Sequence, residues 1–516
     1  MSRKQTTGEG LDADAAFVGL VDFGLFAEKV PPCFTSEGLA DQVPTSLAKI
    51  AHENDLKKLK KLIDKQSRGF MRYQTLRDIN IPRHMGIPHP HSYVAQCLAI
   101  KRCWEQIKKH CAKPAQPVSR IFVRNTGPER VFVMNYKGQE RFEVEEKEIN
   151  FATGACYVVH ADISTCFPSI YTHSIPWAMH GQKKAKKARG DLCLAGNILD
   201  KATQVVRDSQ TIGLLIGPHS SNIISELVLT HVDSALLQQG HRSLTRNIDD
   251  YRFYARTHEE AENFIRDLGM ALRGYELSLN EKKTKILALP RPQVENWVRE
   301  LNDFQFPAGL IRYSTVRSFL DLALDLAKRA GTSATLNYAL KMVPARLNER
   351  AKRLFVSEAV NLSLSYPYLA PLLGEYVFDK HPHPGLDTII CVFASELIKI
   401  GIQRIYPDAI AYALFYAIEQ DLTLQVTEYD LGQVVTIDDC ISDVLLLEYA
   451  KRRKLKKLVR AIKTRANNLK CLDRREQDAF WLLIYQVWKE DELKGNGHDL
   501  LGELKSQNFN FIRFAP

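Results

Sequence analysis

Two strand-like runs bounded by carboxylates constrain this chain more than any other feature. In "CYVVHADISTCFPSIY", Tyr157 to Ala161 reads as a strand, Asp162 stands at its end, and the chain then bends toward Pro168 and a helix. In "RNIDDYRFYA", Ile248 and the run Tyr251 to Tyr254 are strand formers. Asp249 and Asp250 between them are depleted in strands and favoured in turns, which puts the pair at a hairpin tip. Adjacent like charges are costly unless a cation compensates them. If the two strands adjoin, the three acids make a negative pocket whose hard oxygen donors suit Mg²⁺ or Mn²⁺. Two such ions about 3.5–4 Å apart stabilise the attacking and leaving oxygens of an in-line phosphoryl displacement. The blander readings are a helix cap for Asp162 and a hydrated surface turn for the pair.

The surrounding text sets the fold class. Residues 155 to 290 mix β-rich runs and helices, which is α+β text. After about 315, segments such as "STVRSFLDLALDLAKRAG" and "AIAYALFYAIEQDL" carry apolar residues at helical spacing, which predicts an all-α C-terminal domain of stacked helices. Upstream, Leu56, Leu59, Leu62 and Ile63 predict an amphipathic helix with a basic solvated face, and Arg68, Arg72 and Arg77 extend that positive text. "LAIKRCWEQIKKHC" reads as helix, and "RIFVRNTGPERVFVMNY" as a hairpin around Thr126-Gly127-Pro128. His84, His89, His91, Cys103 and His110 invite a zinc site, but their spacing matches no structural zinc pattern.

At 516 residues the chain exceeds what one hydrophobic core usually supports. Its formal net charge of +10 points only weakly to a polyanionic partner, so clustering of the charge matters more. Ten cysteines without a CxxC pair fit reduced thiols in a cytoplasm. Asp12, Asp14 and Asp22 interrupt the opening apolar text, so neither a signal peptide nor a membrane anchor is expected there.

Asp162 with Phe167 five positions on, Asp249-Asp250 on a hairpin, and then "LSLNEKKTKI" are similar in order and spacing to the palm of reverse transcriptases. The longer text, "SIYTHSIPWAMHGQKKAKKARGD", "GNILDKATQVVRDSQTIGLLIGPHSSNIISE" and "MGIPHPHSYVAQC", resembles the abortive-infection (Abi) branch of bacterial reverse-transcriptase-like polymerases used in phage resistance. The resemblance implies fingers and palm within residues 1–315, and a HEAT-like helical domain, 316–516, where a thumb would stand. It implies metal coordination by Asp162 and Asp249, with Asp250 as helper, and Lys283 beside the leaving pyrophosphate. Phe167 would lie under the sugar and select deoxynucleotides, or be plain core. Gly213 and Gly217 of "GLLIGPHSS" would approach the nascent base pair. The basic run with Lys183, Lys184, Lys186, Lys187 and Arg189 would meet triphosphate or product, and "KRRKLKKLVRAIKTR" is either a solvated helix face or a track for single-stranded DNA.

Two departures from the templated pattern bear on function. Asn247 stands where an aromatic precedes the Asp-Asp pair, and Leu215-Ile216 replaces a Pro-Gln in the glycine loop. They put templated copying in doubt, and the resemblance to the Abi branch implies Mg²⁺- or Mn²⁺-dependent nucleotidyl transfer from dNTPs to a single-stranded DNA product, without template and primed on the protein itself; a cytoplasmic homo-oligomer is expected. The rivals are an RNA-templated reverse transcriptase and a catalytically silent nucleic-acid-binding defence protein.

Overall fold

The structure is a computed structural model that describes residues 12–26, 29–52, 55–77, 81–111, 118–119 and 139–514. The hairpin expected around Thr126-Gly127-Pro128 lies outside the described residues. Strands β1 (Phe70–Arg77) and β2 (Ile81–Pro88) form an antiparallel ribbon from Phe70↔Pro88 to Arg77↔Ile81. In β1, Met71, Tyr73 and Thr75 turn inward, the period-2 pattern of a half-buried strand. The expected amphipathic helix forms over Leu56–Lys65, capped by Asp55 and burying Leu59 and Ile63.

A second, four-stranded antiparallel sheet runs in the order β4-β5-β3-β6, with β3 at Tyr157–Asp162, β4 at Leu244–Asn247, β5 at Asp250–Ala255 and β6 at Lys285–Ala288. Alternation gives it two unlike faces. Val159, Ala161, Tyr251 and Phe253 are buried against helices His219–Gln238 and His258–Arg273, with Phe264 stacked on Phe253 at 4.4 Å. The opposite face carries Asp162, His160, Asp250 and Arg252 and lines an open cleft.

From Asn296 to Ser506 the described elements are helices, as the apolar spacing predicts. At their centre lies Pro407–Glu419, buried at every position from Pro407 to Ile418. "IAYALFYAIEQDL", the apolar text behind the homo-oligomer expectation, is therefore core and offers no apolar face to a second copy.

This helical half grips the β1-β2 ribbon. Tyr73 Oη donates to Asp408 Oδ1 at 2.8 Å, the Leu76 N–H donates to Asp408 Oδ2 at 3.2 Å, and the Gly69 N–H donates to Asp478 Oδ2 at 2.7 Å. Among the described residues, no helix is long and apolar enough to cross a membrane.

Candidate active site

Strand register converts a separation of 88 positions into contact, because Asp162 pairs directly with Asp250 across β3 and β5. Asp249 sits in the two-residue turn between β4 and β5, and its carbonyl accepts the Ile163 N–H at 3.2 Å. Ile248 occupies that turn at φ +57°, a left-handed conformation that a β-branched side chain resists. It is therefore a turn residue, contrary to its strand-forming type.

What holds the turn is Arg246. Its guanidinium, fully buried, donates to both oxygens of Glu226 and of Asp233 at 2.7–3.1 Å, and to the Ile248 carbonyl at 2.9 Å. Tyr251 Oη completes the set on Asp233 Oδ1. Glu226 and Asp233, seven residues apart, share one face of their helix.

On the open face the carboxylates share a pocket with Arg252, Lys282, Lys283 and Lys285. Asp162 Oδ2 accepts from Lys283 Nζ at 2.8 Å and Oδ1 from Asn280 Nδ2 at 2.9 Å, and the Asn280 N–H also donates to the Asp162 carbonyl. Partial burial, then the charges of Asp249 and Asp162, push Asp250 up to about 6, only partly opposed by Lys283. Burial raises Asp249 as well, and the charge of Asp162 adds to it. Arg83 on β2 faces the same site: burial and neighbouring Arg77 lower its pKa, while the negative charge of Asp249 opposes them.

The pocket around Asp162 and Asp250, about 390 Å³, opens along the same sheet face into a cleft of about 1330 Å³. His160, Arg252 and Lys285 line both, and Arg291, Arg299 and Arg329 line the larger. His160 is depressed to about 4, by burial and then by Arg252, Arg291 and Lys285. The cleft also carries Glu295 and Glu300, the latter paired to Arg329 at 2.9 Å.

The other expected site residues divide. Phe167 is half-buried, and its carbonyl accepts the Leu214 N–H at 2.7 Å, lacing it to the glycine loop. Gly213 (φ +90°) could carry no side chain, since a Cβ would fall 2.0 Å from Arg207 Nη1 and 2.8 Å from the Pro168 carbonyl. Gly217 also takes a positive φ, +133°. Lys183 and Lys184 are exposed on helix Gln182–Lys187 and do not line the carboxylate pocket.

The histidine-cysteine group divides: His89 and His91 stay together, with their rings 6.2 Å apart, and His89 joins Asp478 and His498 in a buried cluster, while the others lie elsewhere. His110 meets His231, the Cys103 thiol meets the Ala195 carbonyl, and His89 lies 3.2 Å from the distant His498. Of nine basic residues in 451–465, Arg452, Arg453 and Arg465 are paired to Glu448, Asp421 and the Asp438–Asp443 pair.

Sequence reasoning assigned no role to Arg246, Asn280 or Arg83. Arg246 left one signal, a cation two residues before the turn whose alternation sends it to the rear of the sheet. Asn280 stood inside the quoted "LSLNEKKTKI". Nothing local marks Arg83, which reaches the site only because the ribbon folds over it.

Asp162 and Asp250, paired across β3 and β5, with Asp249 in the adjoining turn, offer hard oxygen donors of the kind that divalent metal ions take. Residues 50–306 match the family described as reverse transcriptase (RNA-dependent DNA polymerase). Residues 50–306 are therefore a reverse-transcriptase-like polymerase domain, and polymerases of that family generally use divalent metals. Among solved structures the chain is similar to apo telomerase from Candida tropicalis, with 11% identity, a TM-score of 0.31, and 81% of this chain and 68% of that one covered, a likeness too loose to carry an argument. No curated protein sequence matches it.

Proposed function

We propose that the chain is a phage-defence DNA polymerase that adds deoxynucleotides without a template, primed by a hydroxyl of the protein itself, its product covalently attached. The observation that carries the polymerase reading is the pairing of Asp162 with Asp250 across β3 and β5 at an open pocket, with Asp249 in the turn beside them. Asp162 and Asp249 would hold the ions, with Asp250 beside them. When bound, two divalent ions supply Lewis-acid activation of the attacking hydroxyl and neutralise the leaving pyrophosphate.

The chain's own groups do the rest. Lys283 exchanges its bond to Asp162 for the pyrophosphate, where an ammonium can neutralise charge or give a proton. Asn280 keeps Asp162 aimed as Lys283 leaves. Arg83 closes on the triphosphate from the fingers side, Phe167 and the Gly213 loop bound the sugar and base, and Lys183 and Lys184 attract triphosphate or product from outside the pocket. The product strand leaves over Arg252 and Lys285.

Two features favour untemplated, protein-primed synthesis. Asn247 and Leu215-Ile216 stand where template-copying relatives carry an aromatic and a Pro-Gln. The helical domain, proposed to begin near 316, is spent on holding the fingers ribbon. Purified protein incubated with Mg²⁺ and labelled dNTPs, with and without RNA or DNA template, tests both claims. Label should enter in either case and migrate with the protein through denaturing gels. Absence of incorporation removes the polymerase reading; products complementary to the template, with free 5′ ends, establish the RNA-templated reverse transcriptase instead.

A further inference from the structure

A second cavity, of about 400 Å³, lies among the Leu56–Lys65, Ser174–His180, Gln182–Lys187 and Ala195–Val205 helices. None of its lining residues belongs to the carboxylate pocket or to the larger cleft. The inner side of the "KKAKKARG" run builds its mouth: Lys186 and Arg189 line it, whereas Lys183 and Lys184 do not.

Its wall is aromatic. Tyr171 meets His173 edge-on at 4.8 Å and Trp177 at 5.7 Å, and Lys186 Nζ stands 5.5 Å over the Trp177 ring. Four cationic side chains, Lys60, Lys186, Arg189 and Lys201, line the cavity against one carboxylate, Asp200. That carboxylate is already engaged, accepting from His173 Nδ1 and from Gln204 Nε2. Of the four cations, Lys201 is tied to Asp64 at 2.6 Å, and no carboxylate among the described residues pairs with the other three. The segment bearing Arg189 is fixed in place, because Asn197 Nδ2 donates to the carbonyls of Ala188 and Asp191, each at 2.8 Å.

A cup of this size has room for one nucleotide and excludes a helix or a duplex. Planar rings in the wall suit a base, and cations at the mouth suit a phosphate. We propose that this cavity binds a nucleoside phosphate, away from the catalytic carboxylates and without metal. The occupant is either a free nucleotide or the phosphorylated 5′ end of a strand. Tyr171 pairs with Ile212 next to Gly213, so an occupant sits one connection away from the loop at the polymerase site.

The test uses full-length protein carrying Asp249→Ala and Asp250→Ala, in EDTA, so that metal-dependent binding at the polymerase site is removed and failure of the polymerase reading leaves the result untouched. ADP, 5′-phosphorylated hexathymidylate and its 5′-hydroxyl form are titrated by calorimetry. Saturable binding of ADP identifies the free nucleotide; binding of the phosphorylated hexamer alone identifies the strand end. In either case Arg189→Glu, an exposed position, should weaken binding at least tenfold, as should Trp177→Ala if circular dichroism shows it folded. No binding of ADP or of the phosphorylated hexamer, equal binding of the two hexamers, or an Arg189→Glu protein that binds like its parent overturns the proposal.

Discussion

The two faces of one hairpin treat charge in opposite ways. Behind the sheet, Arg246 meets Glu226 and Asp233, and every carboxylate oxygen accepts a hydrogen bond. In front, three carboxylates share Lys283, and burial with mutual repulsion raises both Asp249 and Asp250. Strand alternation separates the two sets by single residues, since Arg246 pairs with Tyr251 and Asn247 with Asp250. The rear cluster is internally satisfied and can only hold structure. The front acids keep raised proton affinities at an open pocket, a perturbation that functional sites tend to concentrate. Anchoring behind makes repulsion in front tolerable.

The comparison breaks most visibly in activity. Asp249→Ala should lower nucleotide incorporation by at least about a thousandfold, because the metal site loses a ligand for which no described neighbour substitutes. It should leave urea stability equal or higher, since a repulsive charge is removed. An Asp249→Ala protein that unfolds more readily than wild type would make the front cluster structural too. Arg246→Met is the converse: removing one partner of a buried ion-pair network costs about 3–5 kcal/mol, read as a lower urea midpoint. If that variant matched wild type in stability, the rear cluster would not be the anchor.

Legibility in the sequence follows the range of the forces involved. The strand ending at Asp162 and the helices of the C-terminal half were legible because local alternation and spacing fix them, whereas the tip expected at Asp249-Asp250 falls one residue earlier, at Ile248-Asp249, and Asp250 opens β5. Lys283 came with the resemblance, and its contact with Asp162 confirms only its position. The grip of Asp408 and Asp478 on the fingers ribbon was not legible, since it joins positions more than 330 residues apart through single hydrogen bonds. The same holds for Glu226 and Asp233, which look like ordinary polar positions of an amphipathic helix until Arg246 is brought between them. The basic run from Lys183 to Arg189 was read as one feature, yet Lys183 and Lys184 are exposed away from the cavity that Lys186 and Arg189 line.

A smaller effect sharpens the front of the comparison through pH. Asp250 holds its proton to about 6 when folded, against an ordinary value of 3.8. The folded state binds that proton more tightly, so the stabilisation is complete below pH 4 and lost as pH rises through 6. Without metal, Asp250→Asn should melt above wild type at pH 7.5, by roughly 1–2 °C, and about level with it below roughly pH 4. Mg²⁺ at pH 7.5 should raise the wild-type Tm more than that of the variant. A gap unchanged between the two pH values would mean that Asp250 is an ordinary surface acid.

The smallest effect concerns the turn between the faces. Ile248 at φ +57° carries strain that asparagine tolerates, so Ile248→Asn should gain about 0.5–1 kcal/mol in urea unfolding. The strain is sustained by the bond from Arg246 Nη1 to the Ile248 carbonyl, which ties front to rear. Combining Ile248→Asn with Arg246→Met should therefore depart from additivity by about 0.5 kcal/mol or more. Strict additivity would mean that the two faces are independent, and that the acids in front owe their placement to β3 and β5 alone.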